Sequence, residues 1–239
     1  MSNPFLSIII PAHNEETRLP ETLAQVVQFL ETQPYSAEVV VVENASRDNT
    51  LKIARDFSAR YPIIRTIHED LPGKGRAVHT GMLAAGGEYR FFADADLSMP
   101  IAEVNRFLPP AIDVPIAIAS REAPGAIRYD EPAYRHVTGR VFNSLIRMLV
   151  LPDLQDTQCG FKMFRAEVAQ ELFSKQTLMG WSFDVELLYI ARLHKLPILE
   201  IPIPWYFNPE SKVSVLRDSW RMFRDLLLIR RNGRLGKYA

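Results

Sequence analysis

The stretch Arg90-Phe91-Phe92-Ala93-Asp94-Ala95-Asp96-Leu97-Ser98 reads as a buried strand that ends in two acids one position apart. Side chains alternate along a strand, so Asp94 and Asp96 point to one side and Ala95 to the other. Past the strand's end the alternation loosens, and both carboxylates can approach a single point. Two carboxylates at such a point repel, so the place suits a divalent cation. Hard ions such as Mg2+ take oxygen ligands, often one or two carboxylates plus substrate phosphates. Two aspartates that merely cap a turn would look the same in isolation. The rest of the chain decides between these readings.

Upstream, strand and helix alternate. Residues 5–10 form an apolar, Ile-rich run that suits a buried parallel strand, and residues 11–16 break it. A helix is expected over 20–32, a Val-rich strand over 38–43, a helix over 49–61, a strand over 63–68 and a helix over 74–85. That spacing belongs to right-handed βαβ units, so an α/β fold with a mostly parallel central sheet and helices on both faces is expected. Ligands of such sheets bind at the carboxyl ends of the strands. The polar clusters His13 to Glu16, Glu43 to Asp48 and Asp94 to Ser98 all fall there.

The second half is less regular. A fifth strand is expected over 114–120, followed by Arg121 and a mobile loop over 122–132. A basic amphipathic helix over 133–151 carries Arg135, Arg140 and Arg147 and no acid. A polar turn at 156–162 enters a strand. Helices follow over 166–173 and 183–194, then a Pro-interrupted strand over 198–206 whose Pro202 and Pro204 argue for a sheet edge. A long helix closes the chain over 214–231.

Composition bounds the function. The 239 residues fit one α/β domain, and 47% hydrophobic content with 23% charge is ordinary for a globular chain. Net charge is zero, which gives no global case for nucleic-acid binding. The one cysteine, Cys159, excludes an internal disulfide and fits a reducing compartment. No secretory leader and no membrane span is read. Pro72-Gly73-Lys74-Gly75 fails the Walker pattern, because His68 and Gly75 stand where Gly and Ser or Thr are required. No G-x-G-x-x-G follows the first strand, and His13, His79, His136 and His194 lack metal-ligand spacing.

Four segments in order carry a resemblance: Ser7 to Glu16, Val41 to Thr50, Gly73-Lys74-Gly75 and Asp94-Ala95-Asp96. They resemble the family 2 glycosyltransferases of the GT-A fold. Asp156 to Lys162, Phe183 to Leu187, Glu200 to Trp205 and Ser211-Lys212-Val213 are similar to the polyprenyl-phosphate branch of that family, which includes the dolichyl-phosphate glucosyl- and mannosyltransferases. The resemblance implies a single GT-A domain over 1–239. Residues 1–98 would be its nucleotide-binding half, 99–213 its acceptor-binding half, and 214–239 a basic C-terminal helix and tail. Pro11, Ala12, Asn14, Glu15, Glu43, Asn44, Lys74, Asp94 and Ala95 would line the nucleotide pocket. Glu43 and Asn44 replace common aspartates, and Asn44 can donate as well as accept. Asp96, with Asp94, would hold Mg2+ or Mn2+. Arg121, Arg128, Gln158, Lys162, Trp181, Asp184 and Lys212 would face the sugar and the acceptor. Asp94, Asp96, Arg121 and Asp156 would be the catalytic set.

The implied reaction displaces a nucleoside diphosphate from a sugar's anomeric carbon, with inversion. A metal would stabilise the leaving diphosphate as a Lewis acid. A lipid monophosphate acceptor is already anionic near neutral pH, with a second pKa of about 6. It needs aligned cations more than a base, and Arg121, Arg128, Arg135 and Lys212 are the candidates. An alcohol acceptor would need Asp156 or Asp184 as base. Glucose from UDP-glucose is the expected donor, with GDP-mannose, an alcohol acceptor or a non-catalytic sugar-nucleotide binder as alternatives. From Lys212 onward, Lys212, Arg217, Arg221, Arg224, Arg230, Arg231, Arg234 and Lys237 are opposed only by Asp218 and Asp225. Trp220, Phe223 and Leu227 interleave with them, as in a helix lying in a membrane interface. The expected location is therefore the cytoplasmic face of a membrane, bound peripherally.

Overall fold

In the computed structural model, which describes residues 3–208 and 215–239, the apolar runs of the first half become neighbouring strands. Strand β1 (Leu6–Ala12) lies between β2 (Ala37–Asn44) and β4 (Tyr89–Ala93), and β3 (Ile64–Glu69) pairs outside β2; all four are parallel. Ile8, Ile9 and Ile10, like Val39 to Val42, are buried on both faces, which explains why these strands read as unbroken apolar runs. Helix α1 (Leu19–Glu31) has Pro20 in its first turn and buries Leu19, Leu23, Val26, Val27 and Leu30 at helical spacing. Helices α2 (Thr50–Arg60) and α3 (Lys74–Ala84) complete the expected alternation.

The sheet continues through β7 (Phe161–Arg165), β5 (Ile116–Ser120) and β8 (Ile198–Pro202), giving the order β3-β2-β1-β4-β7-β5-β8. Only β7 runs antiparallel, inserted between β4 and β5. One apolar cluster joins α1, α2 and a 3-10 helix (Ile101–Phe107) to one face of the sheet. A second joins α3, α4 (Ala133–Leu149), α5 (Ala166–Ser174), α6 (Phe183–Leu193) and α7 (Val215–Arg234) to the other. Phe91 sends its ring to the first cluster, edge-on to Phe107 at 5.3 Å and Phe161 at 4.4 Å, while Phe92 enters the second. The strand that carries the acids is thus anchored on both sides.

Two expectations are corrected. The segment 122–132 is not a plain loop: it holds β6 (Ile127–Tyr129). The Pro-interrupted strand over 198–206 is two strands, the edge strand β8 and β9 (Pro204–Tyr206), and β9 pairs in parallel with β6 as a separate ribbon. The proline pair does mark an edge, and there the chain leaves the main sheet. Lys212 and the expected start of the last helix at residue 214 lie outside the described residues, as do the side chains of Arg135 and Arg217. On α7, Met222, Leu226 and Ile229 are buried against the domain, whereas Trp220, Leu227 and Leu228 are exposed.

Candidate active site

β1, β2, β4 and β5 point their carboxyl ends to one edge of the sheet, where open α/β sheets bind ligands. At the end of β4, Asp94 N–H donates to the Gly160 carbonyl (3.0 Å), and the chain then turns. Thr22 Oγ1 donates to the Ala95 carbonyl (2.6 Å), Ser98 N–H to Asp96 Oδ1 (3.0 Å) and Tyr206 N–H to the Ser98 carbonyl (2.8 Å). Leu97 takes a left-handed φ of 42°, an uncommon conformation for a branched side chain and one that collects at functional turns. Asp96 therefore does cap a turn, and the same turn is held rigidly beside Asp94. Burial first, and then the charge of Asp94, raise the pKa of Asp96. A divalent cation between the two would relieve both effects. Among the described residues no group of three or more His, Cys, Asp or Glu side chains converges as a metal site. The protein thus offers two carboxylates. That donor set fits Mg2+ or Mn2+ completed by substrate phosphate and water.

Lys74, the first residue of α3, places Nζ 2.6 Å from Asp94 Oδ1 and 5.5 Å from the Trp181 ring centroid. Burial opposes its charge, but Asp94, Asp184 and Asp96 more than offset that and raise its pKa. Deeper, Lys162 Nζ lies 2.8 Å from Asp184 Oδ1, donates to the Cys159 carbonyl and sits over the Phe92 ring. Burial raises the pKa of Asp184 against the pull of Lys162 and Lys74. Cys159 is a buried free thiol, pushed up to about 12 chiefly by burial.

At the end of β5, Arg121 meets the fully buried Asp156 along one edge of its guanidinium, Nε to Oδ2 (2.6 Å) and Nη2 to Oδ1 (2.9 Å). The backbone N–H groups of Arg121 and Gln158 also donate to that carboxylate. Burial works against the charge of Asp156, but Arg121 more than offsets it and holds the group at about 2. Arg121 and Arg128 flank the Trp205 ring at 5.6 and 5.7 Å, and Arg128 is bridged to Glu122 and Glu131. Asp156 and Asp184, the two candidate bases, are both tied to cations. A carboxyl held at about 2 is a weak proton acceptor.

The residues expected to line a nucleotide pocket form a frame of mutual hydrogen bonds. Beyond Pro11 and Ala12, His13 Nδ1–H donates to the Asn44 carbonyl (2.5 Å), and Asn14, at φ 51°, accepts Arg47 N–H at Oδ1 (2.8 Å). Glu15 pairs with Arg18 at 2.6 Å. The buried Glu43 accepts Ser46 N–H (2.6 Å) and His68 Nδ1–H (2.5 Å), and that hydrogen bond chiefly raises the pKa of His68. Asn44 donates to the Leu71 carbonyl (2.5 Å) and accepts Gly73 N–H (2.7 Å), a bridge an aspartate could not make. Glu43 and Asn44 thus brace the loops at this edge of the sheet.

Sequence reasoning gave no role to His68, Thr22 or Gly160. A Cβ on Gly160 would lie 1.9 Å from Asp94 Oδ2, so only glycine admits Asp94 in this position. Gly160→Ala is expected to push Asp94 off Lys74 and to lower activity about a hundredfold, the scale on which small misplacements act. Steady-state kinetics check this, and unaltered kcat/KM would sink it. The segment Asp156 to Lys162 held the signal, but its meaning lies in the contact of Gly160 with Asp94 across strands.

The seven-stranded sheet with the acid turn at its carboxyl edge has the architecture expected of a GT-A glycosyltransferase. The chain belongs to glycosyl transferase family 2, whose profile matches residues 7–173. It is similar to the dolichyl-phosphate beta-glucosyltransferase of Drosophila melanogaster, 35% identical over 94% of this chain and 74% of that one. The dolichyl-phosphate beta-glucosyltransferase of Homo sapiens is 33% identical over the same shares. Among solved structures, glucosyl-3-phosphoglycerate synthase of Mycobacterium tuberculosis, in complex with Mn2+, uridine-diphosphate and phosphoglyceric acid, superposes with a TM-score of 0.66. That likeness covers 99% of this chain and 79% of the other at 17% identity, and it is one of fold.

Proposed function

We propose that this glycosyltransferase moves glucose from UDP-glucose onto a polyprenyl phosphate, inverting the anomeric centre. The observation that carries the acceptor is the state of the carboxylates: Asp156 is held at about 2 by Arg121, and Asp184 is closed against Lys162. An acceptor alcohol would need a base. A phosphate monoester, with a second pKa of about 6, arrives as an anion and needs none. Similarity to dolichyl-phosphate beta-glucosyltransferases supports the same acceptor class and sugar.

In this reading Asp94 and Asp96 hold Mg2+ or Mn2+, which supplies Lewis-acid stabilisation of the leaving diphosphate. Lys74 adds positive charge beside it, with Trp181 walling the lysine. Arg121 turns the edge not taken by Asp156 toward the acceptor phosphate, and Asp156 fixes its orientation. Arg128 supports it from across Trp205. Lys212 stands as a further acceptor contact. The cations align two anions whose mutual repulsion would otherwise keep them apart.

The direct test incubates purified protein with Mg2+ or Mn2+, a polyprenyl phosphate and either labelled UDP-glucose or labelled GDP-mannose. Label in the organic phase from UDP-glucose supports the reading. Label from GDP-mannose alone corrects the donor. Metal-dependent release of UDP without lipid label discards the lipid phosphate. We also place the chain peripherally at the cytoplasmic membrane face. Among the described residues no helix is long and apolar enough to cross a membrane. On α7 the exposed Arg221, Arg224 and Arg231 lie among Trp220, Leu227 and Leu228, a mixture suited to an anionic interface. Changing the three arginines to glutamate is expected to cut co-sedimentation with anionic liposomes at least tenfold; equal pelleting would remove the proposal.

A further inference from the structure

The ribbon of β6 and β9 has two unlike faces. In its register Ile127 faces Pro204, Arg128 faces Trp205 and Tyr129 faces Tyr206. Side chains alternate across a strand, so the middle pair points one way and the outer pairs the other. The middle pair, Arg128 and Trp205, turns inward to Arg121. The outer pairs face solvent: Ile127 is 51% exposed, Tyr129 37% and Tyr206 45%. The two tyrosine rings stack at 4.6 Å and 10°. A short ribbon with an apolar, aromatic outer face is an unusual feature to leave in water, and such patches mark contact sites.

Its position gives the patch a meaning. Tyr206 N–H donates to the carbonyl of Ser98, two residues beyond Asp96, so the ribbon is fastened to the acid turn. Phe207 N–H closes the ribbon on the Tyr129 carbonyl. Directly after β6 the chain enters α4, where Tyr134, Val141 and Met148 recur every seventh residue and are 67%, 59% and 74% exposed. Seven residues are about two helical turns, so these side chains share one face. An apolar track therefore lies beside the acid turn, with Arg121 and Arg128 behind it, and the helix that follows in sequence carries a further exposed apolar row.

The geometry points to this track as the subsite for the isoprenoid tail of a lipid-phosphate acceptor, with Tyr129 and Tyr206 gripping the units nearest the phosphate. The inference rests on the acceptor proposed above and adds where its chain lies. Arg128 on the ribbon's inner face and Arg121 behind it match the anionic head, and the row Ile127, Tyr129, Tyr206 matches a linear chain of methyl-branched apolar units leaving it. A sugar stacked on the tyrosines is the competing occupant, and the chemistry of the substitutions separates the two. An isoprene chain is held by any apolar side chain of similar size, whereas a sugar face requires the aromatic ring.

The experiment compares kcat/KM for undecaprenyl phosphate and methyl phosphate, which carries no isoprene unit, in the full chain. In the variant Tyr129→Ser/Tyr206→Ser the preference for the long acceptor over the short one is expected to fall about tenfold, the scale of losing two apolar contacts. In Tyr129→Leu/Tyr206→Leu it is expected to be largely restored. A loss of equal size for both acceptors, or no rescue by leucine, overturns the inference and favours a sugar platform. An unchanged ratio in the serine variant also overturns it. A second arm is independent of turnover: equilibrium binding of undecaprenyl phosphate, read by intrinsic fluorescence, is expected to weaken in the serine variant by a similar factor. If wild type transfers sugar to neither phosphate but binds the long one through these residues, the reaction assignment fails and the tail site stands. Thermal unfolding midpoints close to wild type exclude misfolding as the cause.

Discussion

Asp96→Ala is expected to abolish sugar transfer, by about a thousandfold or more, while the protein stays folded. The expected loss follows from the proposed donor set, because removing Asp96 leaves Asp94, already engaged by Lys74, as the only carboxylate of the pair. Deleting one fixed electrostatic stabiliser of a transition state commonly costs two to three powers of ten, and losing the metal as well costs more. Stability is spared for a specific reason. Burial and the neighbouring Asp94 both raise the pKa of Asp96, so its charge is held at a cost in the folded state. The hydrogen bond it accepts from Ser98 N–H contributes about 1 kcal/mol. Circular dichroism, thermal unfolding and the transfer assay together check this. Full activity in the variant would remove the metal role.

Arg121→Leu is expected to damage the fold as well as the reaction. It strands a fully buried carboxylate, Asp156, and breaking one side of a buried ion pair costs about 3–5 kcal/mol. Thermal or denaturant unfolding reads the cost directly, and a loss below about 1 kcal/mol would contradict the pairing. The same pair sets an acid limit. The folded pKa of Asp156 is about 2, below the usual 3.9 of an unfolded aspartate, so folding favours its ionised form. Its contribution is complete above about pH 4 and is lost as pH falls toward about 2. Wild type should lose part of its unfolding midpoint across that window. Asp156→Asn, destabilised at neutral pH, should show a flatter acid limb.

The alternation of the first half was legible because parallel strands buried on both faces leave unbroken apolar runs, as in Ile8 to Ile10 and Val39 to Val42. The acid turn was legible only with its context, because the polar clusters His13 to Glu16 and Glu43 to Asp48 fall at the same carboxyl edge as Asp94 and Asp96. The antiparallel course of β7 was not, since Phe161 to Arg165 reads as a strand in either direction and only its neighbours decide. The three-residue strands β6 and β9 are too short to show a period. Within the site, Lys74 and Arg121 were found as cations, but their partners Asp94 and Asp156 lie 20 and 35 residues away. The same distance hid the fit of Gly160 against Asp94. Asn44 is the instructive departure: standing where the resembled family commonly has Asp, it braces the 71–73 loop with both ends of its amide.

The placement of β7 also bears on how the chain comes off the ribosome. The strand that fills the middle of the sheet is made late, after β5 and the whole of α4. Until residue 165 has emerged, the outer edge of β4 has no partner, and its backbone groups beside Phe91 and Phe92 are open to any other strand. β5 cannot cover that edge, because its own place lies one strand farther out. Nascent chains stalled between residues 120 and 160 would therefore present a bare, aromatic sheet edge, the species on which a chaperone would be expected to act.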